Sequence, residues 1–79
     1  MTAKLTKDEL FLCTLAKMVS NDTSISVSRY EVGQKIHQNN KSVDNTVQIL
    51  VKTNFMKRVG DVNISITDQG LRLVEDLLG

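Results

Sequence analysis

Asn45 and Gln48 stand three positions apart, with Lys41 and Ser42 just before them and Lys52 just after. On a helix, residues at such spacing are neighbours on one face. A side-chain amide both donates and accepts, and that pairing matches N6 and N7 of adenine in a major groove. Lys41, Ser42 and Lys52 would hold the same helix on phosphates, which supply affinity without sequence information. Arg29 and Tyr30 upstream, and Lys57, Arg58 and Asn63 downstream, are further candidates for contacts to a nucleic-acid backbone. The plain alternative for such a polar face is solvation. Asp44 would repel phosphate. In the first turn of a helix opened by Ser42 it would instead favour the macrodipole by about 0.3–1 kcal/mol, although it could also accept from a cytosine amino group.

Covalent and metal chemistry find little support. The chain has one histidine, His37, and one cysteine, Cys13, which is too few for a zinc site. A serine–histidine–acid triad would have to be built on His37, and nothing beside it suggests an activated nucleophile. No glycine-rich phosphate loop exists. His37 beside a polar turn suits a solvated or capping role better than proton sensing. Cys13 on a helix reads as a small buried apolar residue. The expectation is a binding module with no cofactor, no evident small-molecule ligand and no enzymatic activity.

The 79 residues predict one domain, 1–79, small enough to bury only about 60% of the surface its unfolded chain exposes. With a single cysteine no internal disulfide can help, and this points to an intracellular, cytoplasmic protein. The polar N-terminal residues offer no signal-peptide core. The apolar run Leu10 to Val19, broken by Thr14 and Lys17, is too short to span a bilayer. Net charge is only +1, but it is unevenly spread. From Arg29 to Arg58, Arg29, Lys35, Lys41, Lys52, Lys57 and Arg58 face only Glu31 and Asp44, whereas from Val59 onward only Arg72 opposes Asp61, Asp68, Glu75 and Asp76. A one-sided electrostatic footprint needs such polarity.

These residues need elements to position them. Thr6 with Glu9 forms a capping box for a first helix, α1, ending near Ser20-Asn21-Asp22. Its apolar arc is Phe11, Leu12, Leu15, Met18 and Val19, with Leu10 and Cys13 outside it. Ser24 to Val27 alternates like a short strand, β1. Ser28 opens a second helix, α2, broken by Gln38-Asn39-Asn40-Lys41. Gly33 inside it costs roughly 1 kcal/mol, which implies close approach of the next helix. That helix, α3 over 42–54, turns Val43, Val47, Leu50 and Val51 inward, and Asn54 supplies the left-handed exit. Strands β2 (55–59) and β3 (62–66) flank a Gly60-Asp61 turn. A two-residue turn pairs Val59 with Val62, Arg58 with Asn63 and Phe55 with Ile66. It places Phe55, Val59, Val62, Ile64 and Ile66 on the core face, with Lys57 among them. Thr67 opens the last helix, α4, whose Leu71, Val74 and Leu78 form one apolar stripe and whose Leu73 and Leu77 form a second. Surplus apolar surface at Leu10, Cys13, Leu73 and Leu77 suggests a homodimer through α1 and α4.

Three local patterns carry a family resemblance. Glu31-Val32-Gly33-Gln34-Lys35-Ile36 is similar to an acid–aliphatic–small–x–x–aliphatic second helix. Leu50 to Met56 resembles a leucine-to-glycine helix exit with Asn54 in place of the glycine. Ile66-Thr67-Asp68-Gln69-Gly70 looks like a strand-to-helix junction of the isoleucine-threonine-x-x-glycine type. Together they resemble the winged helix–turn–helix family of transcription regulators, the broad group that includes MarR-, ArsR- and PadR-like proteins. The resemblance implies an α+β fold of order α1-β1-α2-α3-β2-β3-α4, a three-helix core with a small antiparallel sheet. It also implies sequence-specific binding of double-stranded DNA, with helix 42–54 in the major groove and the 55–66 hairpin as wing. The polar turn 38–41 is longer than the family's tight glycine turn. The wing is too short to reach deep into a minor groove, so its contacts would be with phosphates. The competing expectation is a winged-helix protein-interaction module that binds no nucleic acid.

Overall fold

Thr6 opens the chain's first helix as the sequence requires. Its hydroxyl accepts from the Glu9 amide at 3.2 Å, and its own amide donates to Glu9 Oε1 at 2.8 Å. The computed structural model describes residues 5–79; residues 1–4, with Thr2 and Lys4 of the polar N-terminal stretch, lie outside that range. Seven elements follow in order: α1 (Lys7–Met18), β1 (Val27–Ser28), α2 (Arg29–Lys35), α3 (Asn40–Lys52), β2 (Met56–Val59), β3 (Asn63–Ile66) and α4 (Asp68–Leu78). The strands form one antiparallel sheet in the order β1-β3-β2.

Phe11, Leu12 and Leu15 of α1 and its cap residue Val19 join Val32 of α2, Val43 and Val47 of α3, and Ile64 and Ile66 of β3 in one fully buried core. Cys13 belongs to the same core, and burial, followed by the nearby Glu9 charge, pushes its thiol above the ordinary range. Two glycines permit close packing. A Cβ on Gly33 would collide with the Val43 side chain, so the predicted close approach of α2 and α3 is present. A Cβ on Gly70 would collide with the Phe55 carbonyl and lie 2.9 Å from Ile66 Cγ1.

The structure differs from the sequence reading at three places. First, α3 begins at Asn40, not Ser42, and ends at Lys52. Asn39 is its cap and accepts from the Ser42 amide at 2.8 Å; asparagine is as competent a cap as serine, and it comes first. Asp44 is therefore in the second turn, out of reach of the macrodipole explanation.

Second, the hairpin register is one residue away from the two-residue turn. Met56 pairs with Ile66, Lys57 with Ser65, Arg58 with Ile64 and Val59 with Asn63, leaving a three-residue loop of Gly60, Asp61 and Val62. Side chains alternate with a strict period of two, so one step exchanges the faces. Met56 goes into the core and Lys57 out of it, while Val59 and Val62 are exposed. The β-branched pair around Gly60-Asp61 suggests the shorter turn, but burying Met56 opposite Ile66 while freeing Lys57 outweighs it.

Third, β1 is shorter than predicted. Val27 and Ser28 pair with Ile64 and Asn63, so the strand does extend the hairpin's sheet as expected. On α4, Val74 is buried and Leu71, Leu73 and Leu77 are partly buried against the core, whereas Leu78 is more than half exposed at 54%. On α1 and α4 the exposed apolar surface thus centres on Leu10 and Leu78.

Candidate nucleic-acid interface

The inward side of α3 is settled by Val43, Thr46, Val47 and Leu50, all buried. What remains outward is Lys41, Asp44, Asn45, Gln48, Ile49 and Lys52, each exposed. At about 100° per residue, Lys41, Asn45, Gln48, Ile49 and Lys52 lie within an arc of roughly 100°. Four of the five polar residues expected to contact DNA from this helix are therefore displayed together, while Ser42 is half-buried and accepts from Gln38. Ile49 is the addition, 49% exposed at the edge of that arc beside Asn45. A helical projection exposes it as well, since it falls outside the stripe of Val43, Val47, Leu50 and Val51.

The turn ahead of α3 is stitched to it. Gln38 Nε2 donates to Ser42 Oγ at 2.8 Å and to Thr46 Oγ1 at 2.9 Å. His37 leaves α2 in the left-handed region at φ 58°, and the Gln38 amide closes back on the Gly33 carbonyl at 2.8 Å. This is a capping role for His37, and it makes the four-residue turn a defined unit. The far end of α3 is closed in the same way. Asn54 has φ 68°, and the Phe55 amide donates to the Leu50 carbonyl at 2.9 Å, the two bonds of a Schellman cap being completed by Asn54 to Val51.

Arg29 departs from its expected place among the backbone contacts. It is buried, 8% exposed. Its Nε donates to the Val62 carbonyl at 3.0 Å and one terminal nitrogen to the Asp61 carbonyl at 3.3 Å, while the other lies 3.5 Å from Asp44 Oδ1. Tyr30 donates its hydroxyl to the same Asp44 oxygen at 3.0 Å, and this hydrogen bond pushes the phenol above its ordinary value. Arg29 and Asp44 thus join the start of α2, the middle of α3 and the hairpin loop. Asp44's structural role is to hold that junction, and its charge is matched within the domain. The sequence gives no sign of this, because Arg29 meets Asp61 and Val62 only across the sheet.

The corrected register also redistributes the hairpin's polar residues. Lys57 and Asn63 point to one face and Arg58 to the other, where the shorter turn would have set Arg58 beside Asn63. All three are exposed. Lys57 and Arg58 can reach only different sides of the ribbon.

No protein-family profile matches the sequence, and no curated protein matches it. Among solved structures, the chain is similar to the PcaV transcriptional regulator from Streptomyces coelicolor, determined in complex with its natural ligand, with a TM-score of 0.73 at 19% sequence identity. The likeness covers 98% of this chain and 56% of that one, so the chain spans little more than half of the regulator's length. No helix among the described residues is long and apolar enough to cross a membrane. With its helices, its three-stranded antiparallel sheet and their order along the chain, this protein has the winged helix–turn–helix fold.

Proposed function

We propose that this chain, acting as one domain, binds double-stranded DNA sequence-specifically with α3 in the major groove and the β2–β3 hairpin as wing, and serves as a small cytoplasmic transcription regulator. One observation carries the reading: an α3 whose apolar side is sealed in the core while amides and lysines are displayed outward beside a β-ribbon. Asn45 and Gln48 face base edges in this arrangement. Lys41, Ser42 and Lys52 along the helix, Tyr30 beside it, and Lys57, Arg58 and Asn63 on the ribbon face phosphates. Removing Arg29 from that set leaves Lys41, Lys52, Lys57 and Arg58 as its cations. A homodimer through α1 and α4, with the exposed Leu10 and Leu78 at its centre, the half-buried Leu73 and Leu77 around them and Cys13 left in the core beneath, doubles those charges and presents two copies of α3 to a pseudo-palindrome.

The test is duplex binding by fluorescence anisotropy over a salt series. Each phosphate contact contributes about 0.9 to the slope of log K against log salt. Lys52→Ala lowers affinity for all sequences alike and reduces the slope by roughly one contact, while Gln48→Ala relaxes preference at a single base pair. The rival, a protein-docking module, draws support from the net charge of only +1 and from Ile49 on the displayed face. Absence of any duplex binding at low salt would leave that rival standing alone.

A further inference from the structure

Ile49 is a costly residue for its position. Nearly half of it meets water, it is not among the side chains that pack against the core, and a β-branched residue is a slightly poorer helix former than alanine or leucine. Its neighbours on the displayed arc are Asn45 one turn before and Gln48 and Lys52 beside it. The major groove offers a single apolar feature, the thymine methyl group. The remaining face is equally selective in what it lacks. Its cations are lysines placed at the first and last turns of α3, with no arginine fork between them to grip guanine O6 and N7. Its one carboxylate, Asp44, is turned out of the arc that carries Asn45, Gln48 and Ile49, and its Oδ1 is held by Arg29 and Tyr30.

We propose that the displayed face of α3 selects A·T pairs, with Ile49 packing on a thymine methyl next to adenines held by Asn45 and Gln48. The inference rests on the duplex-binding reading and names the class of site that reading leaves open. Lysines at the helix ends position α3 on the backbone, two amides match adenine, and one alkyl side chain matches the methyl of its partner base. Discrimination between thymine and uracil at one position then depends on Ile49 alone.

The test uses the full chain in two steps. Duplexes retained from a randomised library are sequenced, and the preferred duplex is then rebuilt with deoxyuridine replacing each thymine in turn. The expected selection is A·T at the centre of each half-site. One thymine-to-uracil change weakens binding by roughly fourfold, the worth of one buried methyl group. Ile49→Ala, at an exposed position that leaves the helical circular dichroism unchanged, weakens binding to the thymine duplex by a similar or larger factor and is indifferent to the uracil change. A G·C-centred selection overturns the proposal while leaving duplex binding intact. So does a uracil penalty that persists undiminished in Ile49→Ala, or the lack of any sensitive thymine. Failure to retain any duplex at low salt overturns the duplex-binding reading itself, and this inference with it.

Discussion

Ser20, His37 and Asn54 each follow the end of a helix with φ of 52°, 58° and 68°, in the left-handed region that glycine occupies without penalty. Each is held there by a main-chain bond back into the helix, from Asn21 to Ala16, Gln38 to Gly33 and Phe55 to Leu50. Asparagine tolerates this geometry well and histidine less so. His37→Gly should therefore raise stability by about 0.5–1 kcal/mol, measured by urea denaturation, since the side chain is exposed and no contact is lost. A second residue-scale expectation concerns Tyr30, the chain's one tyrosine in a protein without tryptophan. Its phenol donates to Asp44, so ultraviolet titration should give a midpoint above the ordinary value of 10.0. The sign follows from the raised value. The stabilisation is fully present below the unfolded phenol's pKa and is lost as pH rises through the folded one. Asp44→Asn should return the midpoint toward 10.0; an unchanged midpoint would mean that the hydrogen bond does not persist in solution.

At the scale of elements, the hairpin's position depends on a residue outside it. Arg29 binds the carbonyls of Asp61 and Val62, and its main-chain amide also donates to Val62 at 3.3 Å. Replacing it by a side chain of similar length without donors removes three polar contacts while keeping most of the packing. Arg29→Met should cost about 1–2 kcal/mol, because Asp44 is half exposed and water compensates part of its loss. Amide exchange at residues 60–63 should accelerate more than at α1. Duplex affinity should fall even though Arg29 itself touches no DNA in the proposed arrangement. Exchange rates unaltered in the loop would show that the sheet alone fixes the ribbon.

Across the whole molecule, a basic surface around α3 and β2 contrasts with an acidic α4. The exposed Leu10 and Leu78 lie on α1 and α4, which pack together, and line one groove to which α3 contributes no residue. That arrangement lets a dimer form without covering the displayed amides. Light scattering after size exclusion should give twice the 8.8 kDa chain mass, and Leu10→Glu combined with Leu78→Glu should return it to the monomer with the fold retained. Duplex binding by that variant should then show about half the salt slope of the parent. A parent that remains monomeric at high micromolar concentration removes the dimer from the proposal.

The order of elements, the caps at Thr6, Ser28 and Thr67, the left-handed exit at Asn54 and the need for Gly33 were all legible in the sequence, because each rests on interactions within a few residues. The inward valines of α3, and so its displayed amides, were legible for the same reason: helical periodicity ties them together. Register and pairing were not. A strand's neighbours along the chain cannot tell whether Met56 or Phe55 faces Ile66, since a hairpin one residue longer is almost as good locally and only the shared core distinguishes them. Arg29 shows the same limit for charge. Its place in the sequence marked it as a free cation, and only the fold, by bringing Asp44 and the Asp61 and Val62 carbonyls around it, turned it into the tie between helix and ribbon.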